Sequence, residues 1–160
     1  MQKYSNALYI YLMIYTLSTL LRRKGYLRVP LKKVSSGHYT CKIVLNGIIG
    51  VFIVDSGASH TCVALEKENH FLLKSTKAEK QATSASSADM DTRQSARNYL
   101  RIGNWIQPKQ EVILFDMKTV NEAFEQLNEN AVDGILGADV LQQAKAVIDY
   151  RRNGLYLLKK

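Results

Sequence analysis

The sequence predicts a mainly β fold with two or three short helices, preceded by an apolar helix at the N-terminus. Three observations predict it. Asn-Gly occurs at 46–47 and again at 153–154, each time beside strand-like runs, and this dipeptide tolerates positive φ at both centres of a tight hairpin turn. Short apolar runs recur from residue 26 onward, separated by polar or glycine-containing breaks. "YLRVPL" sets Tyr26, Arg28 and Pro30 against Leu27, Val29 and Leu31, the two-residue period of a half-exposed strand with Pro near its edge.

The 160 residues suit one domain, 26–160, with an appendage at 1–25. A hydrophobic content of 46% is ordinary for a globular chain. The net charge of +8 is uneven: residues 1–54 hold eight basic residues and no acid, and Asp55 is the first carboxylate. Such a bias favours anionic partners or a simply solvated face. No nucleic-acid motif accompanies it, so no nucleic-acid partner is expected. Cys41 and Cys62 have no C-x-x-C spacing, and His38, His60 and His70 fall at no ligand spacing. Neither a structural zinc site nor a disulfide framework is predicted, no metal or cofactor is expected, and a reducing, cytoplasmic compartment fits.

Ala7 to Leu21 is almost continuously apolar and is followed by "RRK". It is shorter than the roughly 20 residues that span a bilayer core, carries little positive charge before it, and has no clear small-residue cleavage site, a poor fit to a secretory signal. It reads as a helix packed on the domain or between subunits, ending at Gly25, with Arg22, Arg23 and Lys24 complementing its dipole. Membrane contact through this segment is the alternative, with the basic cluster then holding the domain on the cytoplasmic side.

After "YLRVPL", "HYTCKIVLNGIIGVFIVDSG" reads as a hairpin turning at Asn46-Gly47. Its second arm, Ile48 to Val54, is nearly all apolar and is expected to be buried on both faces. Residues Val63 to Leu73 suit a strand end and a short helix. Lys74 to Gln94, free of Gly and Pro, suit an exposed hairpin or mobile loop. "NYLRIG" and "EVILFD" read as strands flanking a loop, "NWIQPKQ". Asn121 is expected to open the helix "NEAFEQLNEN". "DGILGADVLQQAKAVIDY" then predicts a strand, a Gly, a helix with Asp139 in its first turn, and a strand over Ala146 to Tyr150. A final hairpin turns at Asn153-Gly154 into "LYLL".

Chemistry concentrates in two of these segments. In "FIVDSGAS" an apolar strand delivers Asp55 into a Ser-Gly-Ala turn, and in "VDGILGADVL" a second apolar strand runs into Gly137 and a helix. Asp-Ser-Gly alone is a common turn composition. Together, in this order, the two segments resemble the retropepsin-like aspartic proteases, whose pattern is apolar-apolar-Asp-Thr/Ser-Gly-Ala followed late in the chain by apolar-apolar-Gly and a helix. The likeness covers roughly Tyr26 to the C-terminus and is nearest in form to the small single-domain bacterial members.

That resemblance implies a retropepsin-like acid-protease half-barrel and an aspartic endopeptidase that hydrolyses peptide or protein substrates. Asp55 would be the catalytic carboxylate. Ser56 would supply the hydroxyl tying the active-site loop to its neighbour, Gly57 and Ala58 would shape that loop, and Ile135, Leu136 and Gly137 would close behind it. Since one chain carries one such Asp, a homodimer is implied. Asp133 reads as a turn residue before Gly134, and Asp139 as a charge at a helix N-terminus. A serine hydrolase on Ser59 and His60 is disfavoured because the two are adjacent and no G-x-S-x-G elbow exists, and Cys62 reads as a buried, inert thiol.

One departure is marked. The family's flap is glycine-rich, whereas Lys80 to Ser95, where the flap falls, has no glycine. The competing expectation is therefore a catalytically inactive module that keeps the fold for peptide binding or dimerisation.

Overall fold

The computed structural model describes residues 16–77 and 92–159 and begins with Thr16 capping a short helix. The Thr16 side chain accepts from the Thr19 amide at 3.2 Å, opening α1 (Leu17–Arg23). Gly25 follows at φ +86, the left-handed stop expected there. Residues 7–15 of the apolar stretch lie outside the described residues. Among those described, no helix is long and apolar enough to cross a membrane.

Eleven strands follow among the described residues: β1 (Tyr26–Pro30), β2 (Lys32–Lys33), β3 (Tyr39–Leu45), β4 (Ile48–Val54), β5 (Cys62–Ala64), β6 (Ser75–Lys77), β7 (Arg93–Ile102), β8 (Trp105–Phe115), β9 (Gly134–Leu136), β10 (Val147–Asp149) and β11 (Gly154–Leu158). Helices α2 (Lys118–Gln126) and α3 (Ala138–Gln143) flank β9, and a 3-10 turn covers Leu65–Lys67. One sheet has the order β1-β11-β10. The other runs β2-β3-β4-β9-β5-β8-β7-β6, and a further β3–β7 pairing curls it toward a barrel.

Alternation explains the layers. Val29 of β1 and Leu155 and Leu157 of β11 turn inward with Ile43, Phe52, Leu100 and Leu114 to form the main core. Each fully buried side chain of this size contributes about 1.5–3 kcal/mol. A smaller cluster of Val34, Ile53, Ala64, Met117, Phe124 and Val132 takes in Phe124 of α2. Phe52 and Ile53 thus belong to different clusters, so β4 is buried on both faces at its C-terminal end. Its start differs from expectation: Ile49 is 63% exposed, because nothing in the second cluster reaches that far along the strand.

The hairpin at Asn46 (φ 50) and Gly47 (φ 89) forms as expected. Three other expectations need correction. The segment "NWIQPKQ" is no loop, because β8 starts at Trp105. Pro108 is tolerated where the register shifts between Asn98↔Gln110 and Leu100↔Gln107, a bulge that needs no proline N–H. Helix α2 starts three residues before Asn121, with Asp116 Oδ1 accepting from the Lys118 amide at 2.8 Å. Asn121 instead spends its amide on the Val132 backbone, at 2.9 and 3.2 Å. In the last hairpin only Asn153 takes positive φ (47), and Gly154 already pairs with Asp149.

The flap assignment falls mostly on residues 78–91, outside the described residues. Its flanks pair antiparallel, Ser75↔Ser95 to Lys77↔Arg93. Glu68 anchors them, accepting Ser75 Oγ and Arg93 Nη1, each at 2.6 Å.

Candidate active site

The site is built where β9 slides between two arms of one loop. β4 and β9 run parallel (Phe52↔Gly134, Ile53↔Ile135, Val54↔Leu136), while β5 returns antiparallel along the other side of β9 (Cys62↔Ile135, Val63↔Gly134). Residues 55–61 therefore cross the C-terminal end of β9. Gly134 is required by this insertion: a Cβ there would collide with the Cys62 carbonyl and the Phe52 ring. Gly137 is required by the crossing, since its Cβ would strike the His60 carbonyl and come within 2.8 Å of the Thr61 nitrogen.

Asp55 stands at this crossing. Its amide donates to Leu136 O at 3.0 Å, tying the first motif to the second through the backbone. Its carboxylate is exposed, and Oδ1 accepts the Gly57 amide at 2.8 Å. Ala58 donates to Asp55 O at 3.3 Å and accepts from the Ala138 amide at 2.7 Å. Asp55, Ser56, Gly57, Ala58, Ile135, Leu136 and Gly137 are thus brought together as one unit. Ser56 is exposed, and its hydroxyl meets no hydrogen-bond partner among the described residues.

The hydroxyl that ties the two motifs within the chain is that of Thr61, a residue the sequence reading passed over. Thr61 is fully buried. Its Oγ1 donates to Asp139 Oδ1 at 2.7 Å and accepts from the Gly137 amide at 3.1 Å, while Gln110 Nε2 donates to Asp139 Oδ2 at 2.7 Å. Asp139 does sit in the first turn of α3, but its carboxylate serves these side chains. The available signal was a polar residue at the start of an otherwise apolar strand. Asp133 is likewise more than a turn residue: Oδ2 accepts the Val51 amide at 2.9 Å and Oδ1 faces Lys67 Nζ at 3.2 Å.

Ser59 Oγ lies 2.9 Å from His60 Nδ1, so adjacency did not prevent contact between them. Among the described hydrogen bonds, no carboxylate reaches the His60 ring, and the pair lacks the third, orienting group of a hydrolase triad. Cys62 donates to His60 O at 3.3 Å. Burial, with a smaller push from the Asp139 charge, raises its thiol to about 12, far from a reactive thiolate. Among the described residues no group of three or more His, Cys, Asp or Glu could hold a metal ion.

Comparison with known proteins identifies the family. The family model described as aspartyl protease matches residues 40–140. The chain belongs to that family. This aspartyl protease fold is shared with a retropepsin-like aspartic protease from Rickettsia conorii, at 19% identity and TM-score 0.53 over 83% of this chain and 89% of that one. It is shared also with the EIAV protease complexed with the inhibitor HBY-793 (15%, TM-score 0.50, 69% and 90%). A third structure is the retroviral protease-like domain of Ddi1 from Leishmania major (16%, TM-score 0.50, 74% and 86%). No curated protein matches the chain.

Proposed function

We propose that the chain is an aspartic endopeptidase working as a two-fold homodimer, with Asp55 from each subunit forming one catalytic dyad. The observation that carries this reading is the single exposed carboxylate at the β4–β9 crossing. Asp133 and Asp139, the other acids of the two motifs, are already engaged by Val51, Lys67, Thr61 and Gln110. With neither of them free among the described residues, a second copy is the source we assign to the second carboxylate. Ser56, with no hydrogen-bond partner among the described residues, is the group we assign to tie each loop to its neighbour across the axis.

Two carboxylates a few ångströms apart cannot both ionise, so the pair holds one proton. The ionised member takes a proton from water as its oxygen attacks the peptide carbonyl carbon. The protonated member gives its proton to the carbonyl oxygen, forming a tetrahedral gem-diol. Proton transfer to nitrogen and cleavage of the C–N bond then release an acid and an amine, with no covalent enzyme intermediate. Free thiols at Cys41 and Cys62 suit a reducing compartment, and the cytoplasm is the location we assign.

The test is digestion of an unstructured peptide library by the wild-type chain beside Asp55→Asn, over a range of pH. Cleavage by the wild type alone is the expected result. Absence of Asp55-dependent turnover at every pH overturns the enzyme reading and leaves a peptide-binding or dimerisation module.

A further inference from the structure

A groove of about 580 Å³ opens on the outer face of the large sheet, toward the end of β4 remote from Asp55. It marks a gap in that sheet. β3 pairs with β2 only at Tyr39 and Thr40 and with β7 only at Val44 and Leu45. Cys41 to Ile43 therefore have no strand beside them on that side among the described residues. β1 pairs with β11 instead, and its Val29 to Leu31 line the opening.

Directly paired residues share a face of a sheet. The pairs Lys32↔Thr40, Lys42↔Val51, Val44↔Ile49 and Val44↔Arg101 thus bring three cations and three apolar side chains to the same outer face. Their separation runs across the strands. Lys32, Lys42 and Arg101 border the gap from β2, β3 and β7, whereas Ile49 and Val51 lie beyond it on β4. Ile49, Val44 and Arg101 form one row, so the charged edge and the far apolar edge are two strand spacings, about 10 Å, apart.

The charge at the gap is unmatched. Lys32 meets Glu129 at 3.2 Å. Arg101 spends Nη1 on Gly103 O at 2.9 Å, and neither Lys42 nor Arg101 meets a carboxylate among the described residues. No acid lines the groove. Two uncompensated cations suit a dianion: a phosphate monoester carries about −1.5 to −2 charges near pH 7, and the guanidinium fork fits its oxygens. A carboxylate would leave one cation unmatched. Beside the gap Ile49 is 63% exposed, apolar surface that an alkyl chain would cover. The groove's size falls within the roughly 300–1,000 Å³ of small-molecule sites, and its concavity fits one molecule rather than the plane of a bilayer.

We propose that this groove binds a single-chain amphiphile with a phosphate monoester head, taken as a monomer from solution. The head sits in the gap among Lys32, Lys42 and Arg101, and the tail crosses β3 and β4 over Val44, Val51 and Ile49. Binding here is independent of the catalytic reading.

The experiment titrates octyl phosphate, below its micelle concentration, into the full chain by calorimetry, beside octyl glucoside and inorganic phosphate. One octyl phosphate should bind per chain, at least about tenfold tighter than either comparison compound, since each keeps only the tail or only the head. Lys42→Gln should weaken binding about tenfold, and Ile49→Ser should weaken it severalfold. Both positions are exposed, so neither substitution disturbs the core, and unchanged melting temperatures check this. Absence of saturable octyl phosphate binding overturns the proposal, as does equally tight binding of octyl glucoside or of inorganic phosphate. Binding indifferent to both substitutions also overturns it. Attachment to vesicles of phosphatidic acid without binding of monomeric octyl phosphate overturns it too, assigning the face to a membrane.

Discussion

Thr61 Oγ1 lies 2.7 Å from Asp139 Oδ1, joining residues 78 positions apart directly behind the loop that presents Asp55. The same oxygen accepts the Gly137 amide, so one buried hydroxyl fixes the first motif to both the strand end and the helix start of the second.

Thr61→Val should therefore destabilise the chain by about 1–3 kcal/mol, since it leaves the Gly137 amide and one Asp139 oxygen without their partner in a buried setting. Thr61→Ser should recover most of the loss. Urea unfolding midpoints at unchanged slope measure both.

Gly137→Ala should cost more than a helix-start substitution ordinarily would, because the added methyl meets the His60 carbonyl and the Thr61 nitrogen, both backbone. Overpacking of this kind costs roughly 1–3 kcal/mol. Peptide cleavage should fall with it, as the loop carrying Asp55 is pushed off β9. A wild-type melting temperature would refute the steric account.

Asp55→Asn should leave the fold intact, because an amide oxygen can still accept the Gly57 N–H that Oδ1 holds at 2.8 Å. A shift in melting temperature of several degrees would show that the carboxylate has a structural role as well.

Burial raises Cys41 and Cys62 from 9.0 to about 12. At pH 8 the native thiols should alkylate with iodoacetamide roughly a thousandfold more slowly than in urea, if rate follows thiolate fraction. The sign for stability follows. The folded state holds these protons more tightly, so the contribution is whole below pH 9 and declines between pH 9 and about 12. Melting temperatures across that range measure the decline, and replacing both residues by Ala should flatten it.

Glu68 is held below its ordinary 4.5, first by the Ser75 hydroxyl and then by Arg93. Lowered in the folded state, it contributes stability above pH 4.5 that disappears as pH falls through the folded value. Glu68→Gln should therefore lower the melting temperature at pH 7 and lose its effect in strong acid.

Much of the fold was legible because its signals are local. Asn46-Gly47 turned where positive φ was needed, Gly25 ended α1, and Arg28 alternated with Val29 as a half-exposed strand requires. The errors arose where a distant partner overrode local preference. Pro108 reads as a loop residue, yet a bulge opposite β7 absorbs its missing N–H. Asn121 reads as a helix cap, yet its amide is spent on Val132. Ile49 reads as buried, yet no described residue of the second cluster reaches its face at the start of β4.

The sequence by itself determined that an apolar strand ends in Asp55 and that a second apolar strand ends in Gly137, because both follow from side-chain period and turn chemistry over a few residues. Only the tertiary structure decided that β9 passes between β4 and β5, that Thr61 rather than Ser56 binds the two motifs within one chain, and that Asp139 and Asp133 are engaged while Asp55 stays open. Those outcomes rest on backbone pairing and hydrogen bonds between residues some 80 positions apart, and no local periodicity carries that information.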